Sequence, residues 1–314
     1  MRDNVQKSTK AFMIGKIIKS IAGFYEVYSE GNVYRCRARG VFRALGEKPL
    51  VGDDVEFDVT DTVSVPQEGN VTRILPRRNA LIRPNVANVD QALLLFAVTY
   101  PAPSFNMLDR FLITMSMRDL PAVLCFNKTD LAAQEDIRAL RETYERCGCK
   151  VLFISTYQEE TLEELSGVLA GKTTVITGPS GAGKSSLINR LSVSAGLAGN
   201  LETGELSRKI ARGKNTTRVV EAYSIGNDTY LLDTPGFTSL FLMGVGADDL
   251  RYHYPEFEPY EGHCRFDGCA HVNEPDCAVK AALEEGKISP IRYRNYTELW
   301  QELKDARPVY RRKA

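Results

Sequence analysis

Hydrophobic positions along the chain change rhythm twice. Residues 1–10, "MRDNVQKSTK", are polar and read as a flexible lead. Over 11–78, short runs rich in β-branched and aromatic residues are separated by Gly, Asn and Asp: "FMIGKIIKSI", "GFYEVYSEGNVYRCRARG", "VGDDVEFDVT" and "GNVTRILP". Strand-length runs at this spacing predict a small all-β barrel, and its length and strand count suit an OB-like one. "PRRN" at 76–79 reads as a linker. Over 79–243 the pattern alternates. "DQALLLFAV", "PAVLCFN", "TTVIT" and "TYLLD" are buried-strand runs; "SFNMLDRFLITMSMR", "TYQEETLEELSGVLAG" and "KSSLINRLS" carry helical periodicity. That alternation predicts an α/β domain with a parallel, doubly wound sheet. Over 244–314 the text turns helical around a cysteine-rich insert and ends on "YRNYTELWQELKDARP".

Composition changes this picture little. The chain has 314 residues, 43% apolar and 25% charged, with 40 basic and 40 acidic side chains. That is an ordinary globular balance with no net pull toward polyanions. Basic excess is local and mild, in the first 83 residues and in the tail "RPVYRRKA". No apolar run approaches the roughly 20 residues of a membrane span. The polar start lacks a secretory h-region, so a cytoplasmic location is expected. Seven cysteines, an odd number, argue against a disulfide framework. Cys36 and Cys125 sit in strand-like runs and read as core. Cys147 and Cys149 form a C-x-C with no partner pair nearby and read as incidental.

Three strand-end motifs carry candidate chemistry. Gly178, Pro179, Ser180, Gly181, Ala182, Gly183, Lys184 and Ser185 match G-x-x-x-x-G-K-[ST] between a strand and a helix, and Ser186 follows as a further nucleotide-binding candidate. Glycines let backbone N–H groups turn inward around phosphate oxygens, and the helix N-terminus adds its dipole. Lys184 would reach the β and γ phosphates and Ser185 would hold Mg²⁺. Asp233 ends the strand before "TPG", 49 residues after Lys184, as a second metal element, with Gly236 approaching the γ-phosphate. The polar stretch 204–218 between them reads as a mobile loop, from which Thr216 or Thr217 would close on Mg²⁺. Asn127, Lys128 and Asp130 form N-K-x-D at another strand end. The aspartate accepts from N1–H and the 2-amino group of guanine, donors that adenine lacks. The amide reaches the purine edge and the lysine stem lies along the ring. The backbone N–H of Ser155, within "FIST" at the end of another strand, would meet guanine O6. The motifs together read as a GTP/GDP site.

Their order is unusual. Base reader, serine loop, phosphate loop, threonine loop and D-T-P-G follow one another; most GTP-binding proteins begin with the phosphate loop. One order is a circular permutation of the other, which moves termini without moving elements. It also joins the γ-phosphate element directly to the C-terminal region.

That region holds Cys264, Cys269, His271 and Cys277, spaced C-x₄-C-x-H-x₅-C. Three thiolates and an imidazole suit one tetrahedral structural Zn²⁺ with no open position. His263, adjacent to Cys264, is the rival ligand. His253 reads as a packed or surface residue. In the barrel Arg35, Arg37 and Arg39 alternate through "YRCRARG" and share a strand face, an RNA-phosphate candidate as well as an ordinary solvated face.

With these motifs together the chain resembles the RsgA family, the ribosome small subunit-dependent, circularly permuted GTPases, over nearly its whole length. The resemblance rests on N-K-x-D before G-P-S-G-x-G-K-S-S-L-I-N, then R-G-x-x-T-T-R, then D-T-P-G-F. It implies an OB-like barrel, a permuted GTPase domain and a zinc-binding C-terminal domain. It also implies binding to the small (30S) ribosomal subunit and its rRNA late in assembly. Asn215 stands where the family commonly has His before the threonine pair, and Phe237 follows D-T-P-G as in the family. The Asn215 amide cannot trade protons as a His can, and Phe237 cannot orient water by hydrogen bonding as a Gln does, so slow hydrolysis that depends on a partner is expected. An assembly factor that senses GTP with little turnover stays open beside the GTPase reading, and a P-loop kinase is disfavoured by N-K-T-D. Nothing demands more than a monomer.

Overall fold

The computed structural model describes residues 12–40, 42, 46–82, 84–194, 220–234, 242 and 244–306. Five strands come first: β1 (Met13–Ile21), β2 (Phe24–Ser29), β3 (Asn32–Ala38), β4 (Asp54–Asp61) and β5 (Glu68–Ile74). A two-residue hairpin, β6 (Ala80–Leu81) and β7 (Val86–Ala87), follows. Then β8 (Gln91–Ala97), α1 (Phe105–Ser116), β9 (Ala122–Asn127), α2 (Gln134–Tyr144), β10 (Lys150–Phe153) and α3 (Glu159–Leu169) alternate. Strand β11 (Thr173–Thr177) leads to α4 (Lys184–Ser194), and β12 (Glu221–Ser224) turns back into β13 (Tyr230–Asp233). Two 3₁₀ segments, Ala247–His253 and Pro255–Tyr260, precede α5 (Ala278–Glu284) and α6 (Pro290–Asp305).

The chain divides into two compact units. The first draws on residues up to Asp90, on 169–175 and on 191–237. Here β1, β2 and β3 form an antiparallel meander, β3 runs parallel to β5, β5 pairs antiparallel with β4, and β4 returns to β1. That circuit closes a five-stranded barrel and leaves few free edges. Alternation along each strand places Ile17, Tyr25, Val27, Tyr34, Cys36, Val55, Phe57 and Val71 inside. β12 pairs with β1 at Lys19↔Glu221, and the two side chains form an ion pair at 2.9 Å. The expected linker is lashed down. Arg77 grips the fully buried Asp53 through Nε and Nη2 at 2.6 and 2.7 Å, Arg78 pairs with Asp90, and Asn79 donates to the Val89 carbonyl.

The second unit draws on 91–168, 176–190 and 238 onward. Strand β9 is flanked by β8 and β10, all parallel. Every residue of β8 is buried, as the near-continuous apolar text of a two-sided parallel strand requires. Helix α1 is capped by Ser104, whose hydroxyl accepts from the Met107 N–H. Helix α2, "QEDIRALRETY", is polar overall, with one narrow apolar stripe of Ile137, Leu140 and Tyr144 at helical spacing. It carries Glu135 and Asp136 in its first turn and Arg141 in its last, both favourable to the helix dipole.

The C-terminal part of this unit packs Leu250, Tyr254, Phe257, Val279, Tyr296, Leu299 and Trp300 with Ile113 of α1. Beside that core lies a buried ionic cluster. Arg292 donates from Nη1 to Asp109 at 2.6 Å and from Nε and Nη2 to Glu256 at 2.6 and 3.1 Å. Asn295 and the Tyr144 and Tyr254 hydroxyls complete the shell of Asp109. Burial pushes the Asp109 carboxyl up. Burial also works against the charge on Arg292, but the two carboxylates outweigh it and hold the guanidinium well above its ordinary value. Among the described residues no helix is long and apolar enough to cross a membrane.

Candidate nucleotide site and metal centre

The nucleotide motifs of the second unit gather at the carboxyl ends of its parallel strands, where open α/β sheets bind ligands. Strand β11 runs into Gly178, whose φ is +148°; a Cβ there would lie 1.9 Å from the Leu95 carbonyl oxygen. Gly183 has φ +98°, and a Cβ there would lie 2.4 Å from Asn127 Nδ2. Both positions therefore exclude a side chain, on steric grounds and on backbone grounds. Lys184 begins α4, and its Nζ donates to the carbonyls of Gly178 and Pro179 at 2.7 and 2.8 Å. The ammonium is thus held over the loop that would cradle phosphate. Ser185 and Ser186 follow in the first turn of the same helix, and Ser180, Gly181 and Ala182 complete the loop.

The base reader is fastened to this loop. Asn127 ends β9 almost fully buried, and its Nδ2 donates to the Ala182 carbonyl at 3.0 Å. Its Oδ1 is buried with no partner among the described residues, an unsatisfied amide end that a ligand would complete. Lys128 adopts φ +66°, and its Nζ donates to the Tyr100 carbonyl at 2.8 Å. Asp130 lies in the 3₁₀ turn Thr129–Leu131 with its carboxylate exposed. Ser155 is fully buried. Its N–H donates to Thr161 Oγ1 at 3.1 Å and its Oγ accepts from the Tyr157 N–H at 3.1 Å. A contact from the Ser155 N–H to a base therefore requires exchanging the Thr161 bond.

In the first unit Asp233 ends β13, half-buried and opposite Glu221 of β12. Thr216, Thr217, Gly236, Asn215 and Phe237 lie outside the described residues.

The four C-terminal ligand candidates converge. Ligand atoms of Cys264, Cys269, His271 and Cys277 all lie within 4.8 Å of one another. Cys264 Sγ stands 3.8 Å from Cys277 Sγ, and His271 Nδ1 stands 3.5 and 3.3 Å from those two sulfurs. Tetrahedral zinc, with bonds of about 2.3 Å to sulfur and 2.05 Å to nitrogen, sets these separations at roughly 3.8 and 3.5 Å. The donor set fits. Burial pushes the Cys269 thiol up to about 12 and raises that of Cys277, and a dication bound among these groups would draw their protons off. Of the two rival histidines, His271 is in the cluster; His263 is exposed and outside it.

Two residues that the sequence reading passed over support the cluster. Glu261 Oε1 lies 2.8 Å from His271 Nε2, which leaves Nδ1 to face the sulfurs. Glu274 accepts from the N–H groups of Ala270, Val272 and Asn273 and ties the loop between the ligands. A carboxylate shortly before and one inside a Cys/His cluster were the available signals.

A phosphate loop and a guanine reader on one parallel sheet, with the reader first along the chain, define a circularly permuted GTPase. Comparison with known proteins carries this further. The model of the RsgA GTPase matches residues 74–243 and that of the RsgA N-terminal domain matches 14–64. The chain is 50% identical over 304 residues to the small ribosomal subunit biogenesis GTPase RsgA of Agathobacter rectalis, covering 93% of this chain and 99% of that one. Among solved structures, the circularly permuted GTPase YloQ superposes with a TM-score of 0.72 at 34% identity, covering 98% of this chain and all of that one. YjeQ from Thermotoga maritima gives 0.72 at 32% identity, covering 95% and 100%. The chain belongs to the RsgA GTPase family, and it is a GTPase.

Proposed function

We propose that this GTPase acts in the biogenesis of the small ribosomal subunit, binding the 30S particle and its rRNA as a monomer in the cytoplasm and hydrolysing GTP with subunit-stimulated turnover. The observation that carries the nucleotide part is the Asn127–Ala182 bond, which fixes the base reader to the phosphate loop. The subunit is that named for the 50%-identical relative.

The chain's own groups divide the work. Asp130 accepts from the guanine edge, Asn127 completes its amide there, and Gly178–Ser186 wrap the phosphates. Lys184 turns from the loop carbonyls to the β and γ phosphates as they arrive. Ser185 and a threonine of the 216–217 pair, Thr217 in the first instance, would hold Mg²⁺, with Asp233 as the second metal element, and Gly236 would approach the γ-phosphate. The ion supplies charge neutralisation on the transferred phosphoryl group when bound. The bound subunit completes water positioning, since Phe237 cannot hydrogen-bond water. Cys264, Cys269, His271 and Cys277 hold one structural Zn²⁺ that keeps the C-terminal region folded.

For the RNA contact the barrel offers an exposed pair. The Arg35 and Arg37 guanidiniums lie 4.1 and 4.7 Å from the centre of the Phe24 ring, pre-ordered with free edges for phosphate. Arg39 is already paired with Asp58 at 2.6 Å and contributes less.

Steady-state GTP hydrolysis by the protein alone, with small subunits and with large subunits tests the reading. A rise of tenfold or more with small subunits only is expected. A flat, slow rate in all three with GTP still bound replaces it by the sensing role.

A further inference from the structure

Beside the exposed Leu131, two aromatic rings at the nucleotide edge stand in solvent with no structural task assigned. Tyr157 is 84% exposed and Tyr100 is 80% exposed. Strand register explains where they stand. Ala97 of β8 pairs with Asn127 of β9, and the Ile154 N–H after β10 donates to the Phe126 carbonyl at 2.8 Å. Tyr100, Asp130 and Tyr157 each follow three residues after Ala97, Asn127 and Ile154. The lip therefore presents the reader aspartate in the middle, with one exposed tyrosine from each flanking strand.

The two tyrosines are not equivalent. Lys128 Nζ is anchored on the Tyr100 carbonyl, so the lysine stem runs from β9 toward the β8 side. One face of a purine held by Asp130 is thereby supplied with methylenes. On the β10 side the exposed aromatic ring among the described residues is that of Tyr157. Its backbone is fixed: the Tyr157 N–H donates to Ser155 Oγ, the Gln158 N–H to the Ser155 carbonyl, and Thr161 Oγ1 to the carbonyls of Ser155 and Gln158. A rigid turn that holds an aromatic ring out in water, next to a base-edge acceptor, has already lost the backbone entropy that ordering such a group on binding costs.

We propose that Tyr157 stacks on the purine face opposite the Lys128 stem, so that the guanine is read at its edge by Asp130 and held face-on by a lysine stem and a tyrosine ring. The inference rests on Asn127–Asp130 being the guanine reader. It assigns Tyr157 to affinity and residence of the nucleotide, not to base choice, because every purine has a π-face.

The test is calorimetric titration with GDP and with xanthosine diphosphate of the full chain and its Tyr157→Ala, Tyr157→Phe and Asp130→Asn variants. The ring is exposed, so the substitutions leave folding intact; melting temperatures check this. Stacking predicts that Tyr157→Ala weakens GDP by roughly 5- to 30-fold, while Tyr157→Phe stays within about twofold. In the Asp130→Asn background the alanine variant weakens xanthosine diphosphate by a similar factor. Tyr157→Trp adds an indole, beside the single Trp300 of the natural chain, whose emission is quenched by GDP. If Tyr157→Ala binds GDP as the parent does while Asp130→Asn turns to xanthine, the stack is wrong and the reader stands. If Asp130→Asn leaves GDP preference untouched, the reader itself fails and the stack with it.

Discussion

The phosphate loop and the Cys/His cluster lie in the same compact unit and are built in opposite ways. The loop is a backbone object. Gly178 and Gly183 leave no room for side chains, the Lys184 ammonium rests on the loop's own carbonyls, and Asn127 staples the loop to β9. Strand ends hold it in shape before any ligand arrives. The cluster is a side-chain object. Four ligand atoms are drawn from a 14-residue stretch with no strand or α-helix between Cys264 and Cys277. What orders such a stretch is the ion its side chains share. A site framed by a sheet can be empty and intact; a site framed by its ligand cannot.

The largest expected effect breaks the cluster. Zinc removal by a chelator, or Cys277→Ser, forfeits a binding energy of about 10–16 kcal/mol in zinc-finger peptides. Protease cleavage should appear within 261–278 while GDP affinity changes less than threefold. A parallel collapse of GDP binding would show that the two sites are not independently framed. Next is Arg292→Met, which leaves Asp109 and Glu256 buried without their cation and should cost about 3–5 kcal/mol in denaturant melts at unchanged zinc content. Lys184→Ala, about 3 kcal/mol in transition-state terms, should slow subunit-stimulated hydrolysis at least ~100-fold at an unaltered melting temperature. The smallest is Glu261→Gln. Loosening the His271 ring should lower zinc affinity roughly 10-fold, read by competition with a metallochromic chelator. No change would mean that the carboxylate does not orient the ring.

Much of both sites was legible because each is written in local spacing. G-x-x-x-x-G-K-S between a strand and a helix has one good physical use, and so has C-x₄-C-x-H-x₅-C. The barrel strands were legible too, since their inner faces alternate with polar residues. Helix α2 was passed over although Ile137, Leu140 and Tyr144 fall at helical spacing, because the segment is short and polar overall. The two-residue strands β6 and β7 and the four-residue β12 are shorter than a periodic signal. Arg292 reads as one more surface charge of an amphipathic helix. Its carboxylate partners lie 36 and 183 positions away along the chain.

By itself, the sequence determined the chemistry: which residues can bind phosphate, read guanine and share a metal ion, and in what order they come. Those are properties of side-chain type and near-neighbour spacing, and they survive circular permutation. Tertiary structure alone decided that Glu261 turns the His271 ring, that the Ser155 N–H is already engaged, and that Tyr157 and Tyr100 stand exposed after the strands on either side of the one that leads to Asp130. Each of these depends on strand register or on contacts between distant segments, and neither is encoded within the reach of a local motif.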